Sequence, residues 1–269
     1  MGYNFFVKSN IDFGRGALAD LSDIIRGYDL KSVMVVYDGG VKAAGIADKV
    51  LAEVGKSGVS YCIFDGVIPN PTNEVVEEAA ASAREAGVDG FVAVGGGSSI
   101  DLAKAVNILM TNPGRISEYG GMNMVKNPCH PLIAIPTTAG TSSEITNVSA
   151  LIDTEKVIKY VVIDNNIVAS DVIADPELTR TVPRSVTAAT GMDAITHAVE
   201  SYISNMATPL TEYNALKGLE ILYRNLPAVC ENGACHCRNI KEYGIASLSF
   251  EHRAGTSNAY RRFRSCWSC

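Results

Sequence analysis

The length and composition of the chain are those of a folded globular protein. With 269 residues, of which 47% are hydrophobic, the chain can form one large or two smaller domains, and its composition argues against a disordered protein. The net charge of −6 argues against a general nucleic-acid binder. No apolar run approaches the roughly 18 residues of a membrane span, and "MGYNFFVKSN" lacks the features of a signal peptide. We therefore expect a cytoplasmic protein that binds neither nucleic acid nor membranes.

In chain order, the first 185 residues alternate β-rich runs with helical patterns. Strands are predicted at "SVMVVYD", "VSYCIFD" and "GFVAVGGG", and further strands within residues 131–144 and 160–176. Helices are predicted between them at residues 41–55 and 73–87. Such alternation predicts an α/β domain with a mostly parallel sheet.

The pattern changes after "TVPRS", where two helices follow without an intervening strand. They are predicted at residues 185–204 and 209–233. We therefore predict an α/β domain over 1–184, the start of a helical domain over 185–233, and an anomalous tail over 234–269.

The tail differs from the rest of the chain in composition. It holds four of the seven cysteines, many arginines and the only tryptophan. One interpretation is a zinc site, because C-x-C and C-x-x-C spacings occur in such sites, although the turn context of a zinc knuckle is absent. Its candidate ligands are Cys235, His236, Cys237, Cys266 and Cys269.

The run "VAVGGGSSIDLAKAV" leads from a strand through three glycines into a helix. Glycine lets a phosphate approach the backbone, and the start of a helix presents N–H groups. The dinucleotide fingerprint G-x-G-x-x-G is not met, because Ile100 stands in place of its third glycine. A phosphate-binding loop and an ordinary strand-to-helix turn both remain open.

Two further polar stretches follow strands. Asp38 ends its strand, where an acid can accept hydrogen bonds from a ribose or can cap the next turn. "IPTTAGTSSE" places hydroxyls around Gly140, which suits a polar ligand or a polar loop with a helix cap.

Asp193 and His197 are four residues apart in a predicted helix and therefore lie on one face. They could be two ligands of a metal ion, or a hydrogen-bonded pair. Protein metal sites usually take three or four protein ligands, so a metal site requires further residues.

Together, "GGGSSIDLAKA", "IPTTAGTSSE" and "ATGMDAITHAVESY" closely resemble the iron-containing alcohol dehydrogenase family. The resemblance runs from about residue 3 to 233 and extends to the group that includes lactaldehyde reductase and 1,3-propanediol dehydrogenase. It implies an α/β dinucleotide-binding domain, an all-helical C-terminal domain and an active site between them. It further implies a small alcohol or aldehyde substrate and, for complete members, a homo-oligomer such as a dimer.

The resemblance also implies cofactors and residue roles. The cofactors are NAD and a divalent metal, Fe²⁺ in many members and zinc in some relatives. The metal acts as a Lewis acid while a hydride passes between substrate and nicotinamide. Asp193 and His197 match the first two metal ligands, and no catalytic side chain is assigned. The implied NAD-binding residues are Asp38, Asn70, Gly96, Gly97, Ser98, Thr137, Thr138, Thr141, Lys159 and Leu178.

The tail departs from the family, whose members continue to three further histidines, two of them metal ligands. His236 and His252 have different surroundings. If residues 249–260 were read one base later, permitted codons would encode a Gly-Leu-Gly-Leu stretch like the one before a metal histidine in the family. We favour such a frameshift over a natural divergent ending. We accordingly expect either an NAD-dependent dehydrogenase that is inactive in this form, or a non-catalytic dinucleotide-binding remnant or pseudoenzyme.

Overall fold

The computed structural model describes residues 8–231, so the possible zinc site and the altered reading frame of the tail lie outside the described residues. The chain divides into two compact units. The first, called the α/β unit here, comprises Lys8–Thr137 and Ser143–Thr179. The second, the helical unit, includes Thr138–Ser142 and, of the described residues after them, 180–231. The domain boundary expected after residue 184 stays a prediction.

The α/β unit contains two sheets. Six strands form the larger sheet, and each of its strand pairs is parallel. They are β1 (Asn10–Phe13), β2 (Ser32–Asp38), β3 (Ser60–Val67), β4 (Gly90–Gly95), β6 (Leu132–Pro136) and β9 (Asp171–Ala174). The smaller sheet contains β5 (Gly121–Met122), β7 (Val148–Asp153) and β8 (Ile158–Ile163).

Helices connect these strands and continue beyond them. Within the α/β unit they are α1 (Leu21–Gly27), α2 (Gly39–Ala43), α3 (Ile46–Ser57), α4 (Asn73–Glu85) and α5 (Gly97–Thr111). The helical unit contains α6 (Arg184–Ile203) and α7 (Pro209–Glu231). The predicted fold class is therefore confirmed: a parallel α/β sheet is followed by helices. None of the helices in residues 8–231 is long and apolar enough to cross a membrane.

The order of strands in the larger sheet is β1-β9-β6-β4-β2-β3. After β2 the chain moves outward to β3 and then returns past β2 to form β4. This reversal creates a topological switch point between β2 and β4, which is where open parallel sheets bind ligands at the carboxyl ends of their strands.

The central strands are buried on both faces, which explains why their sequences are continuously apolar. Val33, Val35, Val92 and Val94 are fully buried, and Ile133 is 1% exposed. They belong to one core cluster with residues of α1 and α3. Burying a side chain of this size contributes roughly 1.5–3 kcal/mol.

One predicted helix is broken in the structure. The single helical pattern expected over 41–55 forms α2 and α3, because Gly45 between them adopts a left-handed φ of 68°. That conformation ends one helix and redirects the chain into the next.

The β7–β8 hairpin was not fully predicted, because β7 was missed. The two strands pair antiparallel with Ile152 opposite Lys159. Residues of β7 alternate between half-buried and buried positions, whereas β2 of the main sheet is buried at every position but its last. The buried positions are those of Ser149, Leu151 and Asp153, so the alternation in burial does not appear as an alternation of apolar and polar residues in the sequence.

The helical unit is built on small side chains. Ala194 and Ala198 of α6 pack against Ala215 and Leu222 of α7. Residues 138–142 belong to this unit, and a Cβ added at Gly140 would lie 2.2 Å from the carbonyl oxygen of Thr190. Only glycine allows the loop to approach the α6 backbone this closely.

Candidate dinucleotide-binding site

The switch point of the larger sheet brings together residues that follow β2 and β4. Asp38 ends β2, and Gly95 ends β4 beside it. Ser99, in the first turn of α5, donates a hydrogen bond from its hydroxyl to Oδ2 of Asp38 at 3.4 Å. The strand-end aspartate and the glycine-led helix therefore form one local site in the α/β unit.

Asp38 uses its carboxylate to cap the following helix. Its Oδ1 accepts a hydrogen bond from the backbone N–H of Val41 at 2.9 Å, and the side chain is half-buried. The capping interpretation therefore holds in the structure. Capping also fixes the orientation of the carboxylate. Contact between Asp38 and a ribose stays a prediction.

The glycines at the end of β4 and just before α5 leave the start of α5 open. Gly95 has a φ of 144°, and a Cβ there would lie 2.4 Å from Oγ of Ser99. Gly96 precedes α5 and has no side chain with which to cap it. The first N–H groups of the 15-residue α5 and the positive end of its dipole suit an anion such as a pyrophosphate.

Asn70, Ser98 and Lys159 meet at the next strand end. Asn70 follows β3 in a left-handed conformation, with a φ of 52°. Its N–H donates to Oγ of Ser98 at 3.2 Å, and its Oδ1 accepts from Nζ of Lys159 at 2.9 Å. Asn70 is thus hydrogen-bonded to both Ser98 and Lys159, and the family resemblance assigns all three residues to the same cofactor.

The remaining predicted contacts are distributed differently. Thr137 follows β6, and its N–H donates to the carbonyl of Gly95 at 3.0 Å, so it borders the same strand ends. Thr138 and Thr141 belong to the helical unit. Leu178 is 3% exposed and packs in the core cluster of the α/β unit. For these four residues, contact with a dinucleotide stays a prediction.

Two buried charged residues of α5 were not singled out from the sequence. Burial raises the pKa of Asp101 to about 6, although the Lys104 ammonium, the Ala150 N–H and the Ser143 hydroxyl lower it in part. Lys104 is fully buried. Charged residues within an otherwise apolar helix, "SIDLAKAVNIL", were the signal that could have identified them.

Asp193 and His197 lie on α6 as expected from their spacing. Nε2 of His197 is 3.7 Å from Oδ1 of Asp193. Within residues 8–231, no group of three or more His, Cys, Asp and Glu side chains could hold a metal ion. Two neighbouring donors do not close a coordination shell, so the described residues alone do not fit a retained metal ion.

The sheet order and the glycine-led α5 at its switch point are those of doubly wound α/β proteins, which bind ligands at this point of the sheet. The sequence profile of iron-containing alcohol dehydrogenases matches residues 9–176, and that of the C-terminal domain of Fe-containing alcohol dehydrogenases matches residues 187–252. The chain belongs to the iron-containing alcohol dehydrogenase family, which confirms the resemblance seen in the sequence.

Individual relatives agree with this membership. The chain is 36% identical to an NAD-dependent methanol dehydrogenase of Bacillus methanolicus over 86% of its own length and 60% of that protein. It is 38% identical to a 1,3-propanediol dehydrogenase of Klebsiella pneumoniae over 93% of its length and 66% of that protein. A crystal structure of a 1,3-propanediol oxidoreductase superposes with a TM-score of 0.90 and 35% identity, covering 94% of this chain and 66% of the other. The chain thus spans about 60% of the length of the first curated relatives that it matches.

Proposed function

We propose that this chain binds NAD(H) and is part of an oxidoreductase that transfers a hydride between NAD(H) and a small alcohol or aldehyde. The main support is the hydrogen-bonded set Asn70, Ser98 and Lys159 beside the open start of α5. A methanol dehydrogenase and a 1,3-propanediol dehydrogenase among the relatives support the substrate class. A homo-oligomeric assembly of the whole protein is part of the same proposal.

Different residues of the α/β unit bind different parts of NAD(H). The N–H groups at the start of α5 face the pyrophosphate, and Lys159 adds a positive charge next to Asn70. Asp38 accepts hydrogen bonds from the adenosine ribose and disfavours a 2′-phosphate there by like-charge repulsion. Binding in this way fixes the nicotinamide ring for transfer.

We also propose that the 269-residue chain does not turn over alcohols. Asp193 and His197 are two of the three or four protein ligands that a firmly held metal ion requires. Because the described residues contain no larger ligand group, no metal-dependent step is assigned to them. NAD(H) binding does not depend on the missing metal ligands, since most of the proposed NAD(H) contacts lie in the α/β unit.

Binding is tested by titrating the full chain with NADH and following nicotinamide fluorescence. We expect saturable binding that Lys159→Met weakens, because the lysine charge next to the phosphate loop is removed. Lys56→Met is the matched control, since Lys56 is an exposed lysine of α3 paired with Glu53. Failure of the unaltered chain to bind NADH would contradict the proposed function.

Turnover is tested by comparing the 269-residue chain with a protein extended by reading on from codon 249 in the restored frame. Both are assayed with Fe²⁺, NAD⁺ and short-chain alcohols. The extended protein is expected to gain turnover and to lose it again on Asp193→Ala or His197→Ala. Comparable iron-dependent turnover by the 269-residue chain would show that its ligands suffice.

A further inference from the structure

The fully buried ammonium group of Lys104 is held by a set of backbone carbonyls. Its Nζ donates to the carbonyl oxygens of Ser143, Thr146 and Val148 at 2.6, 2.8 and 2.8 Å. It also donates to the hydroxyl of Thr146 at 3.1 Å. Burying a cation is costly unless its donors are satisfied, and here several acceptors come from one short segment.

This segment leads directly into β7, and a second residue of α5 holds the start of that strand. Oδ2 of Asp101 accepts from the N–H of Ala150 at 3.2 Å, and the hydroxyl of Ser149 donates to the carbonyl of Asp101 at 2.8 Å. Lys104 and Asp101 therefore fix residues 143–150 against the same helix that opens the proposed phosphate site.

The position of β7 determines that of Lys159. In the antiparallel hairpin, Ile152 of β7 pairs with Lys159 of β8, and the N–H of Ile152 donates to the carbonyl of Pro71 at 2.9 Å. Lys159 then reaches Oδ1 of Asn70 at 2.9 Å. A chain of contacts thus runs from Lys104 through the hairpin to the charged end of Lys159.

From these contacts we propose that Lys104 is a positioning residue for dinucleotide binding, which acts by holding the β7–β8 hairpin so that Lys159 stays next to Asn70 and the start of α5. The proposal rests on the proposed function, because it assigns Lys104 a part in the same site. Lys104 itself touches no cofactor in this scheme, since its ammonium group is enclosed by protein carbonyls.

The test is a double-mutant cycle on the NADH affinity of the full chain, with the fraction of folded protein measured by urea unfolding. Lys104→Met keeps most of the side-chain length and removes the charge. It is expected to weaken NADH binding about tenfold. Loss of a supporting residue lets a binding group shift by about 1 Å, and such a shift costs affinity. Lys56→Met should leave the affinity unchanged.

The combination of Lys104→Met with Lys159→Met separates positioning from general destabilisation. If Lys104 acts through Lys159, the Lys104 substitution should have little further effect once Lys159 is gone. The proposal would be overturned if the fold losses in NADH affinity of the two single variants multiplied in the double variant. It would also be overturned if Lys104→Met bound NADH as tightly as the unaltered chain.

Thr146→Val provides a milder variant in case Lys104→Met does not fold. It removes one acceptor of the ammonium group and should weaken NADH binding about threefold, an effect that also disappears in the Lys159→Met background. A Thr146→Val affinity equal to that of the unaltered chain, or a loss that persists without Lys159, would overturn the proposal. If the unaltered chain does not bind NADH, the proposed function fails together with the role of Lys104. If the unaltered chain binds NADH but the variants bind it equally well, only the role of Lys104 fails.

Discussion

At the residue scale, Gly95 combines an unusual conformation with lack of space. Its φ of 144° is one that residues with side chains rarely adopt, and an added Cβ would lie 2.9 Å from Cβ of Ser99. Gly95→Ala is therefore expected to displace the start of α5 and to weaken NADH binding at least about tenfold, as strain at a binding loop does. Nicotinamide fluorescence titration measures the effect.

Gly55→Ala is the control for this substitution. Gly55 lies in α3, and an added Cβ would meet nothing within 4 Å. The variant should bind NADH normally and be stabilised by up to about 1 kcal/mol, because alanine favours a helix more than glycine does. Equal binding by Gly95→Ala and Gly55→Ala would contradict a special role for Gly95.

We expect Asp38 to determine whether the chain prefers NAD(H) or NADP(H). The unaltered chain should prefer NAD(H), because a carboxylate at this strand end repels the 2′-phosphate of NADP(H). Asp38→Gly should relax the preference, as measured by competitive titration of the two cofactors.

A second variant separates the charge of Asp38 from its capping role. Asn is also a good helix cap, so Asp38→Asn should retain the bond to the Val41 N–H while removing the charge. It should relax the preference with less loss of stability than Asp38→Gly. Equal affinities for NADH and NADPH in the unaltered chain would refute the role of Asp38.

At the element scale, the contact between α5 and β7 makes stability depend on pH. Burial raises the pKa of Asp101 to about 6 from an ordinary value of 3.8. The folded protein therefore binds the carboxyl proton of Asp101 more tightly than the unfolded chain does. The resulting stabilisation is fully present below pH 3.8 and is lost as pH rises through about 6.

Asp101→Asn removes this proton and retains an acceptor for the Ala150 N–H. The free energy of unfolding of the unaltered chain, relative to that of the variant, should fall by on the order of 2 kcal/mol between about pH 4.5 and 7.5. Urea unfolding at the two pH values measures it. A difference that is constant with pH, or that rises with pH, would show that Asp101 is not held protonated by burial.

The elements also show what could be predicted from sequence. Strands β2 and β4 were predicted because strands buried on both faces need continuous apolar runs, whatever their neighbours are. The cofactor residues of the α/β unit came from motif resemblance, and no local pattern indicates that Asn70 contacts Lys159, 89 residues away. The contacts of Lys104 could not be predicted because its carbonyl partners lie 39–44 residues further along the chain.

At the scale of the whole molecule, the helical unit exposes many large apolar side chains. Met192 is 55% exposed, Ile203 62%, Tyr213 67% and Tyr223 84%. A contiguous apolar patch of more than a few hundred Å² promotes association. The 269-residue chain is therefore expected to associate or to have poor solubility, as measured by light scattering coupled to size exclusion.

Substitutions on these helices test whether their side chains cause the association. Ile203→Ser with Tyr223→Ser should reduce it, whereas Tyr61→Ser on β3, at a position 45% exposed in the α/β unit, should not. A monodisperse monomer with a single cooperative melting transition would contradict the expectation.

The position of β1 in the sheet has a consequence for synthesis on the ribosome. Within residues 8–231, β1 pairs with β9 alone, with Asn10 opposite Asp171 and Phe13 opposite Ala174. β1 therefore has no partner strand until almost all of the α/β unit that follows it has been made. At about 5–20 residues per second, this delay is roughly ten to thirty seconds. During that time β1 is an unpaired strand exposed to chaperones, and the sheet acquires this edge strand long after the strand itself was made.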